Sequence, residues 1–123
     1  MEALLCVMAE MLAGHQTAPW ARLILREQQA PSAAFSILTR GAMGRVLAIL
    51  TRLVSIALNK SETDPSVKLC AVSLIGQVQM LRAARAMVMH HMDWTEMKDK
   101  EISLIKKHIR FQLDALFLSG EAL

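Results

Sequence analysis

Histidine and methionine side chains near residue 90 are the first candidates for chemistry in this sequence. His90, His91 and Met92 are consecutive, and His108 lies in the next predicted helix. Imidazole and thioether groups are ligands for soft metals. Because adjacent residues of a helix point about 100° apart, His90 and His91 cannot easily bind one ion together. We therefore interpret them as exposed groups at a helix end, where a cation complements the helix dipole, and we expect no metal and no cofactor.

The sequence contains none of the common catalytic motifs. We find no Gly-rich phosphate loop, CxxC pair, HExxH helix or Ser-His-Asp set. Cys6 and Cys70 lie far apart within apolar helical patterns, which is typical of buried thiols in a reducing compartment. We predict that the chain is not an enzyme. A helical-bundle enzyme that uses the histidines is kept as an alternative.

A charged residue in an apolar arc, Arg85, suggests a binding site. On a continuous helix Arg85 lies at the same angle as Val67, so it must extend to water, pair with a carboxylate such as Glu27, or face a cavity. Glu27 itself is either at the edge of a buried stripe or buried beside an arginine. In the cavity interpretation, Arg85 and Gln77 anchor a ligand in an otherwise apolar pocket. The predicted ligand-binding residues are Met8, Met11, Trp20, Glu27, Phe35, Met43, Gln77 and Arg85.

Length and composition predict a single all-α domain over residues 1–123. An apolar fraction of 54%, nine Met, no Tyr and only three Pro favour helices over strands. The net charge of +3 comes from scattered basic residues, so we predict no nucleic-acid binding by this chain alone. Residues 69–81, a charge-free run, are too few to span a bilayer, and the first residues lack the basic start of a signal peptide. We expect a cytoplasmic protein with no membrane partner.

Hydrophobic periodicity predicts five or six helices. The first two cover about residues 2–13 and 19–29, and the third covers 31–58. Gly41 and Gly44 interrupt the third helix, which predicts a kink or a break, with close helix packing as the alternative. A fourth helix begins at Asp64 and Pro65 and reaches His91. Thr95 can cap the last helix, with Glu96 and Asp99 in its first turn and its end near Leu118.

The last two predicted helices are apolar on two opposite sides. In the helix over 64–91, Val67, Leu74 and Val78 lie on one arc, and a second apolar arc lies roughly opposite. A chain this short cannot easily cover both sides, so we predict a homodimer in which these helices form a four-helix bundle with a second subunit. The predicted dimer interface consists of Leu69, Val72, Gly76, Met80, Ala83, Met87, Leu104, Phe111, Ala115 and Leu118.

Several stretches together resemble a known family. They are LILREQQAPSAAFSIL, LTRLVSIAL, VKLCAVSLIGQVQMLRAARAM and MDWTE, of which the strongest pieces are residues 26–28 before Pro31-Ser32 and residues 74–77. From about Leu5 to Leu118 the chain resembles the C-terminal effector and dimerisation domain of TetR-family transcriptional regulators, of the YbiH/CerR-like type. The resemblance implies a homodimer with a ligand cavity in each subunit. Nothing in the sequence matches that family's N-terminal helix-turn-helix domain.

These observations predict a ligand-sensing and homodimerisation domain of a bacterial regulator, expected to be a repressor. A small apolar or amphipathic effector would modulate DNA binding by a helix-turn-helix domain that this sequence lacks. The alternative is a stand-alone helical dimer that acts as a protein-interaction scaffold. The presence or absence of an interior ligand cavity distinguishes the two hypotheses.

Overall fold

In the computed structural model six helices lie wholly within the described part of the chain, and residues 33 and 36–37, which precede Gly41, are helical as well. The structure describes residues 2–13, 18–33, 36–37 and 41–122, without the side chains of residues 10–13, 18–21, 24, 28, 42–43 and 119–122. The helices are α1 Glu2–Ala13, α2 Ala18–Gln29, α3 Ala42–Leu58, α4 Pro65–Ala83, α5 Arg85–Met92 and α6 Asp99–Ala122. No strand occurs within these ranges, and the predicted all-α class is confirmed.

The break predicted at the glycines of the third helix is present. α3 begins at Ala42, directly after Gly41, which lies in a turn with φ −89° and ψ −141°. Gly44 lies inside α3 and does not interrupt it. α3 ends at Asn59, whose left-handed backbone, with φ 52°, directs its N–H to the carbonyl groups of Ile56 and Ser55.

The predicted start of α4 is also confirmed. The Asp64 Oδ1 atom accepts hydrogen bonds from the Ser66 hydroxyl at 2.7 Å and from the Ser66 N–H at 2.8 Å. Pro65 occupies the first turn, where its missing N–H leaves no donor unsatisfied. The Ser66 hydrogen bonds hold the pKa of Asp64 below its ordinary value of 3.8, because they stabilise the ionised carboxylate.

The predicted single helix over residues 64–91 is wrong, because the structure divides it at Ala84. α4 ends at Ala83, α5 begins at Arg85, and the two axes are bent by 82°. Ala84 has φ −115° and ψ 33°, although its N–H still reaches the Met80 carbonyl at 2.9 Å. Neither proline nor glycine marks this position, so local propensity gives no sign of the break. Every helical angle extrapolated from Val67 beyond Ala83 is therefore invalid, including that of Arg85.

The last helix begins later than predicted. α6 starts at Asp99 and not beside Thr95, so Glu96 lies before the helix and pairs with Lys98 at 3.3 Å. Asp99 and Glu101 supply the negative charge of the first turn, which complements the helix dipole. The segment between α5 and α6 is therefore longer than expected. It begins at Asp93, a second residue with a left-handed backbone, at φ 55°.

A single apolar core lies where α1 and α3 meet α4 and α6. Buried side chains come from all four helices, for example Leu5 in α1, Val54 in α3, Val67 in α4 and Leu113 in α6. α2 packs against α1 and α4, and α5 contacts α4. Within the described residues the backbones of α4 and α6 do not approach each other closely, whereas α1 and α3 contact both helices. This leaves a gap between α4 and α6.

No single helix among the described residues is long and apolar enough to cross a bilayer. Only α4 and α5 taken together reach that length and composition, and they are bent by 82° at Ala84.

Candidate functional site

The gap between α4 and α6 forms a groove of about 690 Å³. One side comes from the C-terminal half of α4 and the other from the middle of α6, while Val88 and Met92 of α5 and Trp94 of the following segment close one end. The bend at Ala84 is what brings α5 to this end. Because small-molecule pockets commonly have volumes of about 300–1,000 Å³, the groove is large enough for an organic ligand.

The groove has a buried inner side and an exposed outer side. Val78, Leu81 and Ile109 are core residues and form the inner side, whereas Met80, Leu104 and Phe111 are exposed and form the outer side. An apolar interior with few polar groups is the usual composition of a ligand pocket. The remaining lining residues are Gln77, Val88, Met92, Trp94, Ile105, Lys107, His108 and Gln112.

The polar side chains of the groove carry no negative charge. They are Gln77 of α4 and Lys107, His108 and Gln112 of α6, and no Asp or Glu is among the described residues of the lining. The His108 ring lies against the Phe111 ring, with 6.1 Å between centroids and 27° between planes. This stacking places an imidazole and a phenyl ring side by side on the α6 side of the groove.

An exposed apolar stripe runs beside the groove along α4. Leu69, Val72, Met80 and Ala83 lie within about 40° of Gly76 around the helix, and Gly76 is about 180° from the buried Val67. Leu69 is 67% exposed, and a Cβ atom added to Gly76 would have no neighbour within 4 Å. The central strip of the α4 face that points away from the core is thus apolar, with the exposed Lys68, Ser73 and Gln77 beside it.

α6 carries a matching exposed stripe. Leu104, Phe111, Ala115 and Leu118 lie within an arc of about 60°, and Phe111 is 69% exposed. Met87 of α5 is exposed as well. All ten residues of the predicted dimer interface are thus accessible in the single chain, and three of them, Met80, Leu104 and Phe111, also line the groove. We call these ten residues the outer stripe.

Comparison with known proteins identifies the family. Residues 1–119 match the family described as the C-terminal domain of the HTH-type transcriptional dual regulator CecR. The chain belongs to this CecR C-terminal domain family. An HTH-type transcriptional dual regulator CecR from Shigella flexneri is 25% identical over 113 residues, which are 92% of this chain and 50% of that protein. The chain therefore spans about half the length of this relative.

Among the predicted ligand-binding residues with described side chains, the groove of this CecR-family domain contains Gln77 but not Met8, Glu27 or Arg85. Met8 is half-buried in α1 and packs against the core. The predictions for Met11, Trp20, Phe35 and Met43 fall on side chains outside the described residues. The assignment of Met8, Glu27 and Arg85 to a ligand site thus stays a prediction, and none of these three residues lines the groove.

Glu27 is a buried carboxylate, but its partner is not the predicted arginine. It is only 2% exposed, and its oxygens accept hydrogen bonds from the Ser32 N–H at 2.9 Å and from the Ser32 hydroxyl at 2.8 and 2.9 Å. The backbone hydrogen bond of Ser32, followed by its hydroxyl, lowers the pKa of Glu27 from the ordinary value of 4.5. The Glu27–Arg85 ion pair, one of the alternatives that the sequence left open, is thus not formed, and the Ser32 contact fixes the chain after α2.

Arg85 is the first residue of α5, directly after the bend at Ala84. It is half-buried, and its Nη1 atom is 3.8 Å from the sulfur of Met97, a buried side chain before α6. This weak contact connects the start of α5 to the segment that leads into α6. Arg85 therefore helps to position the α5–α6 segment, which also carries Trp94, and does not itself line the groove.

The groove residues that the sequence interpretation missed come mainly from α5 and the segment after it. The sequence pattern places Met92 and Trp94 at a helix end and in a linker, because it does not indicate the bend at Ala84. It places Lys107 in a polar strip and gives His108 only as a candidate metal ligand. The signal available in the sequence was the two-sided apolar pattern of α6, which predicted a partner surface but not a groove beside it.

His90 and His91 are exposed at the end of α5, and only His108 lines the groove. Within the described residues no group of three or more His, Cys, Asp or Glu side chains could hold a metal ion. Burial raises the pKa of the half-buried Cys70 thiol, which opposes formation of a reactive thiolate.

Proposed function

We propose that this chain is the ligand-sensing and homodimerising part of a transcriptional regulator. A small apolar or amphipathic effector binds in the groove between α4 and α6, and a second copy covers the outer stripe. DNA binding belongs to a helix-turn-helix domain that is not among these residues. The observation that carries the proposal is the sharing of Met80, Leu104 and Phe111 between the groove and the outer stripe.

The exposed apolar area supports the dimer. Large contiguous apolar surfaces are uncommon on monomeric proteins and mark interaction sites. The outer stripe extends over about four turns of α4 and four of α6, which is enough for the antiparallel helix pairs of a four-helix bundle. A stable dimer should bury more than about 1,000 Å² in total.

Shared side chains provide the coupling between ligand and dimer. A ligand that contacts Met80, Leu104 and Phe111 alters the side-chain arrangement that the partner subunit meets. If the two subunits can pack in two ways, the ligand shifts the population towards the packing for which it has the higher affinity. By linkage the same free energy changes both ligand affinity and the subunit equilibrium. DNA-reading domains attached to the two subunits would then change their spacing.

The test combines oligomeric state with ligand binding. Sedimentation equilibrium should show a dimer at micromolar concentration, and a monomer under those conditions contradicts the proposal. Trp94 lines the groove, and the chain has only two tryptophans, so a Trp20→Phe variant isolates the fluorescence of Trp94. Apolar probes should change that fluorescence saturably.

The remaining alternative is a dimeric interaction scaffold, for which the outer stripe alone suffices. It predicts the same dimer but no saturable change in Trp94 fluorescence and no thermal shift with any apolar probe. A Leu81→Phe variant supplies the matched control, because Leu81 lies on the inner side of the groove, the larger ring should fill part of it, and Trp94 fluorescence remains the readout. This variant should lose probe binding while it stays dimeric, whereas a scaffold shows no difference in binding.

A further inference from the structure

The charged group that faces the groove is a lysine without a neighbouring acid on its own helix. Lys107 is exposed on α6, where Ser103 and Leu104 precede it by one turn and Arg110 and Phe111 follow it by one turn. Ion pairs on a helix join residues three or four apart, and none of these four positions holds Asp or Glu. Arg110, which adds a further positive charge, is bound to Glu2 at 2.7 Å.

Around the helix axis Lys107 occupies a definite place relative to the apolar lining. It lies about 60° from Leu104 and about 40° from Phe111, on the side away from the buried Ile109. The apolar inner side of the groove and its positive charge are thus at opposite borders of the α6 face. A ligand that uses both would bury an apolar body against Val78 and Ile109 and leave a polar head at Lys107.

We infer that the effector of the groove is an apolar molecule with one anionic head group, which Lys107 binds at the outer border. This inference rests on the proposed function and adds the charge of the ligand. It follows from charge complementarity, because the described lining has a lysine and four further side chains with hydrogen-bond donors but no carboxylate. An amphiphile with a cationic head would place its charge beside Lys107 without a counter-charge in the lining.

A matched set of three probes tests the inference. Decanoate, decanol and decyltrimethylammonium share an apolar chain and differ in the charge of the head. Binding is followed by Trp94 fluorescence in the Trp20→Phe variant. Decanoate should bind about twofold to fivefold more tightly than decanol, the range expected for an exposed ion pair, and decyltrimethylammonium should bind more weakly than both. Added salt should reduce these differences.

Substitutions at Lys107 then identify the group responsible. Lys107→Gln should make decanoate and decanol equal, and Lys107→Glu should reverse the order in favour of decyltrimethylammonium. Lys100→Gln removes an exposed charge of α6 outside the groove and should leave the order unchanged. If all three probes bind equally to the parent chain, or if Lys107→Gln keeps the preference for decanoate, the anionic-ligand inference is wrong while the groove remains a ligand site. If no probe binds, the ligand site itself is wrong and this inference with it.

Discussion

Gly76 gives a sharp test of the dimer because its surroundings within one chain are empty. It lies at the middle of the apolar arc of α4, and an added Cβ atom meets nothing within 4 Å. Glycine in a helix interior costs about 1 kcal/mol relative to alanine. Within a single chain, both Gly76→Ala and Gly76→Leu should therefore stabilise the fold by up to about 1 kcal/mol.

In the dimer the two substitutions should differ. The missing side chain allows a close approach of two helices, and a leucine there adds volume to a packed contact. Overpacking of a well-packed contact costs about 1–3 kcal/mol, which corresponds to a dissociation constant that is higher by roughly fivefold to a hundredfold. Gly76→Ala, with one added methyl group, should raise it much less.

The assay is the dimer dissociation constant from sedimentation equilibrium, together with chemical denaturation at two protein concentrations. Denaturation separates the two effects, because the stability of a dimer depends on concentration whereas that of a monomer does not. Ala48→Leu is the control, since Ala48 is an exposed small residue on α3, outside the outer stripe. Equal dissociation constants for Gly76→Leu and the parent chain would refute the placement of Gly76 in the interface.

Two further predictions concern the fold of one chain. Because the pKa of Glu27 is lowered, the folded state binds fewer protons than the unfolded state near pH 4. The ionised Glu27 therefore stabilises the fold above the ordinary pKa of 4.5, and this stabilisation is lost as the pH falls through the lower pKa of the folded state. In Glu27→Gln the unfolding free energy should decline less between about pH 5 and about pH 3 than in the parent chain, and Ser32→Ala should show part of this effect. An unchanged decline in Glu27→Gln would contradict this prediction. Met97 is 4% exposed and Met87 is 62% exposed, so Met97→Ala should cost about 2–5 kcal/mol in denaturation, while Met87→Ala should change only the concentration-dependent part. Similar losses for both at every concentration would disprove that assignment.

Sequence patterns predicted the features that depend on local spacing. The Asp64-Pro65 start of α4 and the break at Gly41 follow from capping and glycine chemistry, which involve residues close in sequence. The inward face of α4 was also predicted correctly, since Val67, Ala71, Leu74 and Val78 are buried. Their spacing places them on one side of any regular helix, whatever surrounds it.

Features that depend on distant packing could not be predicted. Nothing between residues 82 and 86 disfavours a helix, so local propensity does not account for the 82° bend at Ala84. Glu27 was recognised as unusual, but its partner Ser32 lies beyond the end of α2, where helical spacing has no meaning. A pattern can thus mark a polar residue that needs a partner without naming that partner.

The groove depends both on local spacing, which the sequence reveals, and on distant packing, which it does not. Its walls, α4 and α6, were predicted as helices with two apolar sides, and the structure shows that only one side of each is buried by the chain. Its closed end depends on the bend at Ala84, which brings Val88, Met92 and Trp94 to the gap.

A variant that straightens the bend at Ala84 should therefore open the groove without changing the core under α4. Alanine is already the strongest helix former, so no substitution at Ala84 favours a straight helix by propensity. The more informative change is Met97→Leu, which removes the sulfur that Arg85 contacts while it keeps the buried volume nearly constant. If Arg85 positions the α5–α6 segment, Met97→Leu should lower probe affinity measured at Trp94 with a loss of less than about 1.5 kcal/mol in stability. Unchanged probe affinity would mean that apolar packing alone holds the closed end of the groove.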